Sequence, residues 1–72
     1  MNIVFNDHAL LKMEQRTLSK RMVIIVIKKP DRVEYTQSGR EALFKKFRKR
    51  SLKVVIVREQ NATVVVTTHW VA

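Results

Sequence analysis

Two histidines are the side chains of this sequence best suited to move a proton near neutral pH. His8 stands at the start of a segment predicted to be helical, where the positive end of the helix dipole disfavours a charged imidazole and favours a neutral base. His69 stands in Val-Val-Val-Thr-Thr-His-Trp, a run typical of a strand. The alternatives without chemistry are a solvent-exposed helix end for His8 and a strand-end histidine bonded to a carbonyl for His69.

Basic residues are concentrated in one segment of the chain. The 72 residues include 15 Lys and Arg against 6 Asp and Glu, a net charge of +9, and the excess is largest between Arg40 and Lys53. Such a bias favours polyanionic partners, since arginine binds phosphate through paired hydrogen bonds, although a solvated charged face is the alternative for any single residue. The residues expected to contact nucleic acid are Lys12, Lys45, Lys46, Arg48, Lys49, Arg50, Lys53, Thr67 and Trp70.

Several other kinds of site are excluded by composition. A single glycine excludes a glycine-rich phosphate loop, and the absence of cysteine excludes a thiolate zinc site and any disulfide. The serines have no nucleophile-elbow context. The two histidines with Glu14 or Glu41 show no metal-ligand spacing, so we expect no metal and no cofactor.

The length and hydropathy of the chain predict one small domain over residues 1–72. The longest apolar run, residues 22–27, is far shorter than the roughly 20 residues that span a bilayer, and no secretion signal is recognisable. We therefore expect a cytoplasmic protein that does not interact with membranes. An apolar content of 46% is enough for a compact core.

The first part of the chain predicts two helices. Residues 20–29 fit a buried strand or a buried helix by periodicity alone, but Ser19 as an N-cap and Pro30 as a stop favour a helix. Residues 7–16 predict the other helix, with Asn6 or Asp7 as an N-cap. Its apolar residues share one helical face: Ala9, Leu10, Leu11 and Met13.

The remainder of the chain predicts strands, so the fold class is α+β, with two N-terminal helices packed on a three- to four-stranded antiparallel sheet. Residues 40–47 fit a helix or a strand, and residues 37–39 fit a turn in which Gly39 can adopt positive φ. Residues 59–62 fit a hairpin loop. The predicted strands are residues 3–5 at an edge, 32–36, 52–59 and 63–71.

Side-chain alternation relates the last strand to the chemistry. If Val65 faces the core, then Thr67 and His69 share its face, and Thr68 and Trp70 share the other. An aromatic ring can stack on a nucleobase or fill a small core. The rings concerned are Phe44, Phe47 and Trp70.

The order and spacing of several motifs resemble a known family over nearly the whole chain. The motifs are His-Ala-x-x-Lys-x-x-x-Arg from His8, Leu-Ser, Lys-Pro-Asp, Arg-Glu-x-Leu-Phe-Lys-Lys-Phe from Arg40, Leu-Lys-Val-Val from Leu52 and a terminal Val-Val-Thr-x-His-Trp-Val. Together they resemble the domain-of-unknown-function 4258 family of small bacterial and archaeal proteins. That family looks similar in size and layout to the RelE/ParE-like toxins and to the wider barnase–EndoU–colicin–RelE group of ribonucleases.

The resemblance implies helices packed on a curved antiparallel sheet, RNA cleavage without a metal, and membership of a toxin–antitoxin pair. It favours a strand for residues 40–47, paired with residues 52–59 across a turn at 48–51 that has no glycine. It also places several side chains in one constellation: His8, Arg16, Arg40, Glu41, Lys45, Thr67, His69 and Trp70.

We therefore predict a small basic RNA-binding protein that acts as an endoribonuclease toxin. In the expected reaction a ribose 2′-hydroxyl attacks the adjacent phosphate, with one histidine as base and the other as acid, and with cations stabilising the phosphate. Glu41 would orient a histidine or act as the base. The predicted catalytic residues are His8, His69, Arg40, Glu41 and Arg16, and Lys45 would add a further cation.

The same features fit functions of other classes. A non-catalytic nucleic-acid-binding module would use the basic segment and need neither histidine. A protein-interaction module would present the basic face to an acidic partner. The expected partners are RNA, free or on the ribosome, and an acidic antitoxin protein, while Val-rich strands at a sheet edge would allow a homodimer.

Overall fold

The computed structural model describes residues 2–36 and 38–71 and confirms the α+β class. All strands form one sheet in the order β1-β5-β4-β3-β2. No helix in these residues is both long enough and apolar enough to cross a membrane. The elements in chain order are β1 Ile3–Phe5, α1 Asp7–Gln15, α2 Lys20–Lys28, β2 Arg32–Tyr35, β3 Glu41–Phe47, β4 Arg50–Glu59 and β5 Ala62–Val71.

The sheet has five strands and is mixed: β2 to β5 are antiparallel, as predicted, and β1 adds a fifth, parallel strand that the predicted sheet of three or four antiparallel strands did not include. β1 pairs parallel with β5, from Ile3 opposite Thr63 to Phe5 opposite Val65, and all other pairs are antiparallel. The edge position predicted for residues 3–5 is confirmed. A three-residue strand carries little pattern of its own, and only the tertiary fold brings it beside β5.

Side-chain caps define the starts of both helices. The Asn6 side chain accepts a hydrogen bond from the Ala9 amide at 2.8 Å, and the Ser19 hydroxyl accepts one from the Met22 amide at 3.2 Å. Each cap satisfies a backbone donor that has no partner within its helix. The prediction of a helix for residues 20–29 is confirmed, because the cap and Pro30 outweighed the strand propensity of the Val and Ile run.

The end of α1 is a Schellman motif with a threonine in the left-handed position. The Leu18 amide donates to the Met13 carbonyl at 2.8 Å, and the Thr17 amide donates to the Glu14 carbonyl at 3.2 Å. Thr17 has φ 55°, a conformation that glycine adopts at lower cost than a β-branched residue. The chain therefore reverses here without the glycine that usually marks such a turn.

Both helices pack on the same face of the sheet, α1 against β5 and α2 against β3 and β4. The pattern placed Leu10 and Leu11 on the apolar face of α1, but they are 39% and 51% exposed. The buried face of α1 is narrower than the pattern indicated and consists of Ala9 and Met13. The main buried residues are Ala9, Met13, Val23, Val26 and Ile27 from the helices and Leu43, Leu52, Val54, Ile56 and Val65 from the sheet.

A β-bulge interrupts β5. Val55 lies opposite Thr67, whereas the next residue of β4, Ile56, lies opposite Val65. Val66 is therefore an extra residue on β5, and its insertion reverses the side-chain alternation of everything that follows.

This reversal overturns the predicted faces of the last strand. Thr68 is fully buried and Trp70 packs against the core, so both share the face of Val65. Thr67 and His69 point to the opposite face. Alternation failed as a guide here because it assumes an unbroken two-residue period, and the sequence carries no recognisable mark of the bulge.

Two turns connect the strands that carry the basic residues. Residues 41–47 form a strand, as predicted, and Phe47 pairs with Arg50 across the two-residue turn Arg48-Lys49. Arg48 has φ 58°, so this turn adopts a left-handed residue without using glycine. In the other turn Gly39 has φ 78°, and Gln37 of that predicted turn lies outside the described residues.

Candidate functional site

Because the helices occupy one face of the sheet, the other face is covered by no helix in the described part of the chain. We call it the open face. It carries the residues of β3, β4 and β5 that alternate with the core residues, among them Phe44, Lys53 and His69. The sheet side chains that no helix of the described residues covers are therefore on this side.

Four side chains form a row across the open face. Arg32 lies opposite Phe44, Phe44 opposite Lys53, and Lys53 opposite His69. Neighbouring strands are about 4.8 Å apart, so this cross-strand row is about 14 Å long. The Arg32 guanidinium lies 4.1 Å from the centre of the Phe44 ring, and the Lys53 ammonium lies 5.8 Å from the same point. The ring therefore holds both cations in place through cation–π contacts.

His69, at one end of the cross-strand row, has an environment that keeps its imidazole neutral. Partial burial lowers the pKa of His69, and the positive charges of Lys53 and Arg16 lower this pKa further. Arg16 is the C-cap residue of α1, the helix that packs on β5. A neutral imidazole between two cations combines a proton acceptor with groups that stabilise phosphate charge.

The turn between β3 and β4, together with the residues next to it, adds exposed cations at one end of these two strands. Lys46, Arg48, Lys49 and Arg50 are all exposed. The Arg50 guanidinium lies 4.3 Å from the centre of the Trp70 ring. Lys46, Arg48 and Lys49 extend the positive surface beyond the cross-strand row, whereas Arg50 lies over Trp70 on the side of the sheet that the helices cover.

Trp70, predicted to stack on a base, lies on the helix-facing side of the sheet. Its ring packs edge-on against Phe47, with the centroids 6.2 Å apart, and Arg50 covers it. Trp70 and His69 thus point to opposite faces of β5. This arrangement gives Trp70 a packing role, which the sequence analysis had given as the alternative to stacking on a base.

Arg40 and Glu41 lie away from His69. Glu41 accepts a hydrogen bond from the Arg58 side chain at 2.7 Å and points to the helix-facing side, and Arg40 is an exposed residue whose amide donates to the Thr36 hydroxyl. Glu41 is three residues before Phe44 on β3, which corresponds to about 10 Å along the strand. The structure therefore places this pair apart from the cross-strand row.

His8 is exposed in the first turn of α1, which begins beside Val65. His69 lies four residues after Val65 on β5, about 10 Å from Val65 along the strand when the bulge is allowed for. No hydrogen bond joins His8 to another described side chain, and residues 2–36 and 38–71 contain no cluster of three or more His, Asp or Glu able to hold a metal ion. His8 is thus separate from His69.

Three other residues predicted to contact nucleic acid differ in their burial and in the contacts that their side chains already make. The Lys45 ammonium donates to the Lys29 carbonyl at 3.0 Å and lies 3.6 Å from Asp31, so it ties β3 to the segment that follows α2. Lys12 is half-buried on α1. Thr67 is half-buried on the open face, two residues before His69.

The structure adds Arg32 to the residues that sequence reasoning selected. Arg32 belongs to a predicted strand outside the basic segment, and it reaches the site only because β2 pairs with β3. Phe44 was selected as a ring able to stack or to fill the core, and the structure gives it the role of anchoring two cations. The one available signal for Arg32 was the alternation of residues 32–36.

Comparison with known proteins supports the resemblance at the level of the family. The family model described as Domain of unknown function (DUF4258) matches residues 5–70, which include both helices and all but the last residue of the four longer strands. Searches of curated proteins and of solved structures find no match. Since the family model covers most of its length, the chain belongs to the DUF4258 family.

Proposed function

We propose that the protein binds single-stranded RNA on its open face. The cross-strand row carries the proposal, because it places two cations and a neutral histidine in one line on a face that no described helix covers, with both cations held over the buried Phe44 ring. Single-stranded RNA is bound by cations that track its backbone and by flat groups that stack on its bases. The Arg32 guanidinium, held over Phe44, offers such a flat group.

The exposed cations around the row extend this surface. Arg16, which is half-buried, is close enough to His69 at one end of the row to lower its pKa, and the exposed turn of Arg48 and Lys49 lies where β3 and β4 end. Each phosphate neutralised releases counterions, so the affinity depends on the number of such contacts. The net charge of +9 adds long-range attraction for the strand.

Fluorescence anisotropy with a labelled 12-nucleotide RNA tests this proposal. Arg32→Gln and Lys53→Gln should each weaken binding about tenfold and reduce the slope of log K against log salt by about 0.7. Arg21→Gln and Lys28→Gln remove the same charge from exposed positions on α2 and serve as matched controls. If the controls weaken binding as much as the row variants, the open face is not the binding surface.

A second function, cleavage of the bound RNA without a metal, is supported by the lowered pKa of His69. In this reaction neutral His69 accepts the proton of a ribose 2′-hydroxyl, whose oxygen then attacks the adjacent phosphorus. The bond from phosphorus to the 5′-oxygen breaks, leaving a 2′,3′-cyclic phosphate, and the 5′-oxygen takes a proton from water. Arg16 and Lys53 stabilise the charge of the transition state. This mechanism differs from the one expected from the sequence because it does not use His8, Arg40 or Glu41.

Detection of 2′,3′-cyclic phosphate ends in the presence of EDTA tests the cleavage. His69→Ala should abolish product formation, whereas His8→Ala should retain it. Cleavage that survives His69→Ala would remove this residue from the mechanism. If the unmodified protein binds RNA but does not cleave it, the cleavage proposal is wrong and only the binding function remains.

The biological setting that we propose for the cleavage is a toxin paired with an acidic antitoxin, on the basis of the resemblance to RelE/ParE-like toxins. An acidic partner would cover the same basic face that binds RNA. Induced expression in a bacterial host should arrest growth for the unmodified protein and not for His69→Ala. Equal growth of both strains, with both proteins present at equal levels, would contradict the toxin proposal.

A further inference from the structure

A groove lies on the open face beside the cross-strand row, at the end of the sheet that carries the β3–β4 turn. Its volume is about 350 Å³, and its walls include Asp31, Arg32, Phe44, Lys46, Ser51 and Val71. Pockets for small ligands start at about 300 Å³. The groove is therefore large enough for one nucleotide.

Two polar side chains in the groove are free to bind a ligand. Lys46 and Ser51 lie opposite each other, and Ser51 lies opposite Val71. Among the described residues, the Lys46 ammonium has no carboxylate within 4.0 Å and the Ser51 hydroxyl makes no hydrogen bond. Lys46 is two residues from Phe44, so this pair lies about 7 Å from the cross-strand row.

The one carboxylate in the groove is already occupied. Asp31 accepts a hydrogen bond from the Lys46 amide at 2.8 Å, and the Lys45 ammonium lies 3.6 Å from its other oxygen. The Lys46 amide is the main cause that lowers the pKa of Asp31. Asp31 therefore stays ionised and the Lys45 ammonium offsets its charge, while Arg32 and Lys46 keep the lining of the groove net positive and attractive to an anion.

We propose that this groove is a phosphate subsite that holds one nucleotide of the RNA strand next to the cross-strand row. The Lys46 ammonium and the Ser51 hydroxyl bind the phosphate, and Val71 and the edge of Phe44 contact the ribose. The inference rests on the proposed RNA-binding function and adds the position and the side chains of a second contact. It assigns Lys46 a role different from that of Lys45, which is held by Asp31 and the Lys29 carbonyl.

Lys46→Gln and Ser51→Ala separate the charge of this subsite from its hydrogen bond. In anisotropy measurements with the 12-nucleotide RNA, Lys46→Gln should weaken binding about tenfold and reduce the salt slope by about 0.7. Ser51→Ala should weaken binding by about threefold with no change in slope, because it removes no charge. Lys28→Gln, on α2, should change the affinity less than twofold.

Amide chemical shifts during titration with uridine 3′-monophosphate locate the phosphate directly. Saturable shifts at Lys46, Ser51 and Val71 that disappear in Lys46→Gln support the subsite. Shifts at Lys53 and His69 alone, with Lys46→Gln binding RNA like the control, overturn the subsite and leave the proposed function standing. Absence of RNA binding by the unmodified protein overturns both.

Discussion

His69 is half-buried and flanked by Lys53 and Arg16, and its lowered pKa links protonation to folding. The unfolded chain, with the ordinary histidine pKa of 6.5, binds a proton more readily than the folded protein. The stabilising effect of this difference is complete above pH 6.5 and is lost as the pH falls toward the folded-state pKa. The same neutral form is the one that the proposed cleavage requires.

We expect the free energy of unfolding to decrease between about pH 7 and about pH 5, and Lys53→Gln to raise the pKa of His69 by removing a nearby positive charge. Urea unfolding at several pH values and NMR titration of the imidazole protons measure the two effects. His69→Gln should remove this part of the pH dependence. Asp31 does not interfere, since its carboxyl titrates below 3.8.

Thr68 is fully buried, and its hydroxyl has no hydrogen-bond partner among the residues that the structure describes. Thr68→Val replaces the hydroxyl with a methyl group, so we expect it to stabilise the protein by about 1 kcal/mol. Chemical denaturation measures the change. Thr67→Val, next to it but on the open face, should change stability by less than about 0.5 kcal/mol, and a destabilised Thr68→Val would show that the hydroxyl is satisfied in solution.

At the scale of the elements, the β3–β4 turn keeps an arginine where glycine is favoured. Arg48 has φ 58°, which costs an ordinary residue about 1 kcal/mol. Arg48→Gly should therefore raise stability by about that amount, yet weaken RNA binding because a cation near the groove is lost. Thermal unfolding and anisotropy of the same variant measure both effects.

The end of α1 provides the matched control for this turn. Thr17 has φ 55° and carries no charge, so Thr17→Gly should raise stability similarly and leave RNA binding unchanged. Arg48→Lys, which retains both the charge and the backbone conformation, should bind RNA like the unmodified protein. Tighter RNA binding by Arg48→Gly would show that the turn residue is not selected for its charge.

At the scale of the whole molecule, the net charge of +9 is confined to a body of 34 × 23 × 21 Å. At about 10 mM salt the screening length is about 30 Å, so the positive charges repel one another across the entire protein. Salt should therefore stabilise the fold while it weakens RNA binding.

Raising the salt concentration from about 10 mM to about 200 mM should increase Tm and decrease RNA affinity in parallel samples. Calorimetry and anisotropy measure these changes. The double variant Arg21→Gln/Lys28→Gln lowers the net charge on the helices and should show a smaller increase in Tm. A Tm that falls with salt would mean that attractive ion pairs, such as Glu41 with Arg58, outweigh the repulsion.

Much of the fold could be predicted because local signals were strong. The N-caps Asn6 and Ser19, the stop at Pro30 and the Val-rich runs of β4 and β5 determine their elements through contacts within a few residues. The strand at residues 40–47 was predicted only through the family resemblance, because the apolar residues of this segment fit both a helical and a strand period. The composition by itself determined the strong positive charge and excluded cysteine chemistry.

Only the tertiary structure decided which of the candidate residues meet. The bulge at Val66 sends His69 to the open face and Trp70 to the core, since one inserted residue reverses all later positions. Pairing of β2 with β3 brings Arg32 to Phe44, while the register of β3 on β4 places Glu41 on the other side, where it pairs with Arg58. Residue type and order are properties of the sequence, whereas a shared site depends on strand register, which is set by long-range pairing and packing of the whole sheet.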